Sequence, residues 1–372
     1  MFLRLALLAG CCAMLAGCLE EPSAPAPATA PAPAALVTLG EQLFRDVALS
    51  SSRTQSCASC HDAGTAFSDP DQGLPVSEGA VDGRFGTRNA PTATYAGFVP
   101  ALASVIEDGD VLWSGGLFHD GRVDSLEAQT QKPFLNPDEM DNASAADVII
   151  RLRGSATAVA FLQVFGGAAL DPGNEAQAFD QVARAIAAFE RSPALNRFNS
   201  RFDDYLAGRT ALTAQELEGM AVFVRPDKGN CAACHVMARG PNGEPPLFTD
   251  FTYDNLGVPR HPNTALFDAD FVDEGVATTL VARGGAGASL LRGKFRVPTL
   301  RNIAKTAPFM HNGVFTDLRQ VVEFYNTRDT DPARWGETEV PATVNHDELG
   351  NLGLNNRDVD ALVAFLNTLS DR

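Results

Sequence analysis

Cys57-Ala58-Ser59-Cys60-His61 and Cys231-Ala232-Ala233-Cys234-His235 are one five-residue pattern written twice. Two thiols one helical turn apart, followed at once by an imidazole, suit covalent attachment of c-type haem. The thiols would bond the porphyrin's vinyl groups, and the imidazole would reach the iron as proximal ligand. A zinc knuckle needs four convergent nitrogen and sulfur ligands, and a redox dithiol has no use for a histidine after its second cysteine. Cys57, Cys60, Cys231 and Cys234 are therefore read as haem attachment points, with His61 and His235 as axial iron ligands. Two such sites in a chain of 372 residues predict two domains.

The other three of the seven cysteines, Cys11, Cys12 and Cys18, fall in the first 18 residues. Haem attachment thus uses every cysteine of the domains. Residues 1–18 read as a targeting segment: Arg4, then an apolar stretch over 5–16 that is too short for a permanent membrane span. It ends Leu15-Ala16-Gly17-Cys18, which resembles a bacterial lipobox. Cleavage before Cys18 and lipidation of its thiol are expected, with an ordinary cleaved signal peptide as the alternative. Either would export the chain to the periplasm, where c-type haem is attached, and Leu19 leans toward the outer membrane. Residues 19–35 form an Ala/Pro-rich tether, stiff enough for a spacer and too poor in donors for a core.

The formal net charge is −17, with 29 basic and 46 acidic side chains. No basic run points to nucleic acid or to an anionic membrane surface. Leu36, Leu39, Leu43 and Phe44 share a helical face. Residues 63–86 are rich in Gly, Asp and Pro and predict a long loop over the first haem, containing neither His nor Met. Helical spacing returns with Val148, Ile149 and Leu152, then with Val182, Ile186 and Phe189. Thr213-Ala214-Gln215-Glu216 is a capping box that opens a helix through Leu217, Met220, Phe223 and Val224. Residues 239–298 read as loops. Leu318, Val321, Val322 and Tyr325 mark a further helix, and Val359, Leu362, Phe365, Leu366 and Leu369 a closing one. The expected class is mainly α: two cytochrome c-like haem domains with long loops, over residues 36–205 and 206–372.

With these segments in hand, the chain resembles the bacterial di-haem cytochrome c peroxidase family, and within it the MauG-like branch. The matching stretches are LGEQLF, SCASCH, RNAPT, FHDGR followed by Gln129 and Glu139, CAACH, and VPTLRN…TAPFMHNG…FYN, in order over about residues 36–370. The resemblance implies a peroxide-reactive haem in the N-terminal domain and an electron-transfer haem in the C-terminal one. It implies a calcium ion between them, with Asn89, Thr306 and Pro308 as protein ligands, the last two through backbone carbonyls. Oxygen donors suit calcium, although Asn89 alone would also suit a turn cap.

The resemblance also assigns catalytic roles. Glu139 matches the carboxylate that carries a proton between the two peroxide oxygens, and Gln129 the amide that orients peroxide. Family members often hold a second His in the loop after the first haem motif; here that loop has none, so an open site at His61 is expected. Fourteen residues after His311, where the peroxidases place a Met ligand to the second haem, stands Tyr325, as in the MauG-like branch. A phenolate is a hard anionic donor that stabilises oxidised iron, whereas a Met thioether raises the potential. A core aromatic is the plain alternative for Tyr325, and Met310 is the second candidate ligand. His119 occupies the inter-haem position where the family usually has Trp. Imidazole is harder to oxidise than indole, so Trp113, six residues upstream, is a competing bridge; His119 could equally hydrogen-bond or bind iron.

The resemblance therefore implies an oxidoreductase that reacts with hydrogen peroxide, forms a high-valent state shared by two haems and oxidises an aromatic residue of a partner protein. This is what MauG-like proteins do, as does the related enzyme of methanobactin gene clusters. One competing reading is a cytochrome-c peroxidase that removes peroxide with electrons from a small cytochrome or cupredoxin. Another is a non-catalytic electron-transfer dihaem cytochrome, which two saturated irons would favour. No nucleic-acid partner is expected, and membrane contact only through the lipid anchor.

Overall fold

The computed structural model describes residues 33–107, 109–268, 270–285 and 287–372. The targeting segment, its lipobox and nearly all of the Ala/Pro tether lie outside the described residues. Helices dominate, in line with the sequence. They are α1 Ala34–Phe44, α2 Cys57–Cys60, α3 Leu126–Leu135, α4 Ala145–Arg153, α5 Ala158–Phe165 and α6 Glu175–Glu190. These are followed by α7 Arg201–Leu206, α8 Ala214–Val224, α9 Val276–Ala282, α10 Leu318–Thr327, α11 Pro332–Trp335 and α12 Asn356–Asn367. The strands are few and short: β1 Ala103–Glu107 pairs antiparallel with β2 Asp110–Ser114, and β3 Tyr253–Asp254 with β4 Phe295–Arg296.

Two helix crossings, built alike, organise the molecule. In the first, α1 lies so close to α6 that a Cβ added at Gly40 would sit 1.9 Å from the carbonyl oxygen of Ala185 and 2.9 Å from Cβ of Phe189. In the second, α8 meets α12, and a Cβ at Gly219 would sit 1.9 Å from the carbonyl oxygen of Ala361 and 2.8 Å from Cβ of Phe365. Only a residue without a side chain lets the backbones approach this far. Each glycine is followed four residues on by a phenylalanine, and so is each facing alanine.

Those phenylalanines build matching aromatic trios. Phe44, Phe67 and Phe189 stand with ring centroids 5.3–6.3 Å apart, and Phe223, Phe248 and Phe365 likewise. All six pairs are edge-to-face, an arrangement that adds about 0.5–1.5 kcal/mol per pair beyond the area buried. The first trio lies in an apolar cluster with Leu39, Leu49, Val148, Ile149, Leu152, Phe161, Val182 and Ile186. The second lies in a cluster with Phe202, Leu212, Val222, Val322, Val359, Leu362 and Leu369. These two cores supply the floors on which the two C-x-x-C-H motifs rest.

The capping box read at Thr213 is present: its hydroxyl accepts from the Glu216 N–H, and the Glu216 carboxylate accepts from the Thr213 N–H. Asn355 and Asp358 cap α12 in the same reciprocal way. Residues 143–190 form three helices, α4 to α6, as their periodicity requires. Short elements depart from the loop reading, among them α9, β3 and β4 within residues 239–298. Two-turn α9 interrupts the 239–298 stretch, because Val276, Ala277 and Leu280 bury one short face. The β1–β2 hairpin precedes the FHDGR stretch, in a chain whose strand signals are sparse.

Segments distant in sequence are locked by a few buried polar groups. Arg301 of the VPTLRN stretch is fully buried and makes a bidentate pair with Asp203, at 2.9 and 3.0 Å. Its guanidinium lies over the rings of Tyr95 and Phe198. The Tyr95 hydroxyl donates to Asp371 at 2.7 Å, and Asp371 also accepts from the Asn302 amide. A buried charge is tolerated when paired and hydrogen-bonded in this way.

Candidate functional site

Each haem motif presents its histidine in one tautomer. The Nδ1 of His61 lies 2.9 Å from the Phe67 carbonyl oxygen, and the Nδ1 of His235 lies 2.8 Å from the Phe248 carbonyl oxygen. A carbonyl only accepts, so Nδ1 carries the proton and Nε2 keeps its lone pair. Both phenylalanines adopt φ of +56°, which turns their carbonyls toward the imidazoles. Burial lowers the pKa of both histidines, that of His235 to about 4, which keeps the rings neutral and ready to bind a metal.

The surroundings hold all four motif cysteines as neutral thiols. Burial raises the pKa of all four, with Cys60, Cys231 and Cys234 reaching about 12. Among the described residues, no group of three His, Cys, Asp or Glu side chains gathers at a metal-sized site.

The second motif opens on a cavity of about 290 Å³, lined by Cys231, Cys234 and His235 together with Tyr325, Met310, Phe223 and Leu362. Tyr325 stands on α10, close enough that the charges of Cys231 and Cys234 add to burial in raising the pKa of its phenol. The same cavity is lined by Arg296, whose Nε donates to the Phe118 carbonyl at 3.3 Å. Arg296 has no carboxylate partner among the described residues, and burial lowers its pKa. A desolvated guanidinium without an anion is costly, and a haem propionate would supply that anion. The residues present therefore fit haem.

Around the first motif the structure gathers carboxylates. Glu139 is half-buried just beyond α3, and its charge adds to the raised pKa of both Cys57 and Cys60. Burial raises the pKa of Glu139 itself, against the pull of Asn136 and Arg122. Gln129 is half-buried on α3, one turn after the Ser125 cap. Asp69 sits near Cys60 and His61 and accepts a short hydrogen bond from Ser77.

The junction holds residues from both motifs' surroundings. His119 lines the second cavity, with Nε2 2.9 Å from the Asn89 carbonyl oxygen, and burial with the nearby Arg88 charge lowers its pKa to about 4. Trp113 does not line that cavity; it packs with Leu102, Tyr253, Val276 and Leu280. Asn89, Thr306 and Pro308 line the cavity together. The Asn89 amide nitrogen donates to the Pro75 carbonyl, so its Oδ1 is the end left for a cation. Two groups here, one buried and one half-buried, have partners that a reading of the sequence does not supply. His311 stacks on Phe295 at 3.8 Å with a 12° interplanar angle, and burial lowers its pKa to about 3. Arg88 bridges Asp120 and Asp273, each at 2.6 Å. The RNAPT and MHNG stretches signalled both, but without saying what either residue would touch.

Comparison with known proteins agrees with this geometry. Residues 34–211 match the profile of the family described as di-haem cytochrome c peroxidase. Over 360 residues the chain is 42% identical to the methylamine utilization protein MauG of Paracoccus denitrificans, covering 92% of this chain and 90% of that one. The chain belongs to the di-haem cytochrome c peroxidase family. It is therefore an oxidoreductase of the peroxidase/MauG type, in a family that carries two c-type haems. Among solved structures, the diheme peroxidase BthA of Burkholderia thailandensis superposes with a TM-score of 0.83 at 38% identity, covering 92% of this chain and 87% of that one. A MauG-like protein associated with microbial copper homeostasis follows at a TM-score of 0.67 and 29% identity, covering 95% of each chain.

Proposed function

We propose that the protein uses hydrogen peroxide to oxidise an aromatic side chain of a partner protein in the periplasm. The carrying observation is the inequality of the two sites. Tyr325 shares the second cavity with His235, while the loop after His61 offers neither His nor Met and Glu139 stands nearby. Haem, when bound, supplies the iron that accepts and stores oxidising equivalents. Glu139 takes the proton from the peroxide oxygen nearer the first site and returns it to the farther oxygen, which leaves as water. Gln129 orients the peroxide for that transfer. Arg296 would neutralise propionate charge at the second site, and Tyr325, whose phenol would give up its proton on binding the metal, would supply an oxygen that favours the oxidised state. His119 occupies the junction across which the two equivalents are shared. The Asn89 amide oxygen, with the carbonyls of Thr306 and Pro308, would hold a calcium ion that fixes this junction. The domains divide near residue 205, and the leader places the protein in the periplasm on a lipid anchor.

Turnover separates this reading from plain peroxide removal. With peroxide and a reduced small cytochrome c, steady turnover should stay below about 1 per second, slower than the ~10 per second typical of enzymes. A rate at or above that typical value would favour the cytochrome-c peroxidase reading.

A further inference from the structure

Trp335 is one of two tryptophans in the chain, and the structure joins it to Tyr325 by ring contacts. Tyr325 meets Phe324 edge-on at 6.1 Å, Phe324 meets Trp335 at 5.4 Å, and Phe315 meets both Phe324 and Trp335. These rings form one apolar cluster with Val258 and Phe309. The indole sits on α11, 7% exposed, with Nε1 donating to the Thr327 hydroxyl at 3.1 Å. Over the indole lies the Arg334 guanidinium, 4.3 Å from the ring centroid and about half exposed. Electron tunnelling weakens steeply with distance, so contiguous packed rings favour it, and indole is far easier to oxidise than the phenylalanines between. Trp113 belongs to a different cluster, and neither tryptophan lines the second cavity itself.

We propose that Trp335 is the relay through which oxidising equivalents leave the protein toward a partner's phenol or indole side chain. The proposal rests on the peroxide reading of the two haem sites and adds the exit. Trp335 loses one electron toward the second site through Phe324 and Tyr325, then regains one from the partner, and this happens twice per peroxide. The partner's aromatic groups lose two electrons and two protons in total. Hydrogen peroxide takes up both and becomes two waters. Arg334, which is also paired with Glu323, holds its guanidinium over the ring, where the positive charge opposes electron loss and keeps the relay at rest until the second site is strongly oxidising.

The test uses the haem-loaded protein with peroxide and no partner, followed by peptide mapping and freeze-quench EPR with ring-deuterated tryptophan. Without a partner, hydroxylation of an indole consumes one peroxide and releases one water. Trp335 should carry most of the hydroxylation, ahead of Trp113, and the organic radical signal should narrow on deuteration. Trp335→Phe should abolish that signal with the haem optical spectrum unchanged. Arg334→Gln, at a half-exposed position, should leave the fold intact and raise Trp335 oxidation about two- to fivefold, the range set by an exposed cation–π contact. Oxidation at Trp113 instead, or the same Trp335 yield with and without Arg334, would overturn the relay while leaving the peroxide reading standing. A haem spectrum that does not respond to peroxide would overturn that reading, and the relay with it.

Discussion

Gly219→Ala will strip the C-terminal haem motif of its floor. The added Cβ would lie 1.9 Å from the Ala361 carbonyl oxygen, 2.5 Å from the carbonyl carbon and 2.8 Å from Cβ of Phe365. The first two of these neighbours are backbone, so no rotamer change relieves the contact and α8 must move away from α12 by more than about 1 Å. Overpacking of this kind costs about 1–3 kcal/mol and sometimes more, and the loosened Phe223–Phe248–Phe365 trio adds to it. Alanine's better helix propensity returns only about 1 kcal/mol. The net loss is a large part of an ordinary domain's ~5–15 kcal/mol. Denaturation followed by haem absorbance, together with haem content per chain, checks it. The variant should unfold at lower denaturant and carry less haem at Cys231 and Cys234. An unchanged or higher midpoint would mean that the close crossing is not required.

Glu139→Gln will slow the reaction with peroxide by about 10²–10⁴-fold, the usual worth of a positioned proton carrier. The amide keeps the size of the side chain but cannot take up the proton. The working form of Glu139 is the carboxylate, and burial raises its pKa above the ordinary glutamate range. The rate of the unaltered protein should therefore rise with pH through a step above that range, and Glu139→Gln should lose the step. Stopped-flow mixing with peroxide across pH measures both. A variant that reacts at the unaltered rate, with the same pH step, would remove Glu139 from the mechanism.

Much of the site was legible because covalent haem attachment demands fixed residues at fixed spacing. C-x-x-C-H names its own ligands, and the count from His311 to Tyr325 locates a side chain that does line the second cavity. The main helices were legible from periodicity, since a face that packs on a core must be apolar every third or fourth residue. What escaped was tertiary. Gly40 and Gly219 read locally as helix-weakening residues, and only the partner helix explains them. Gly40-x-x-x-Phe44 and Gly219-x-x-x-Phe223, facing Ala185-x-x-x-Phe189 and Ala361-x-x-x-Phe365, form an internal repeat that is plain once the crossings are seen. The hairpin over Ala103–Ser114 carried a β-branched run broken at Gly109, a strand signal overshadowed by the helical surroundings. Arg296 was invisible as a site residue, because a lone Arg in a loop reads as solvated until the fold buries it.

EPR of the ferric haem-loaded protein tests the central claim most directly, when recorded on the unaltered chain and on Tyr325→Phe. The account predicts one high-spin signal from an open site at His61 and one low-spin signal from the His235–Tyr325 site, with only the low-spin signal altered by the substitution. Two low-spin signals, or a low-spin signal indifferent to the loss of the phenol oxygen, would contradict it.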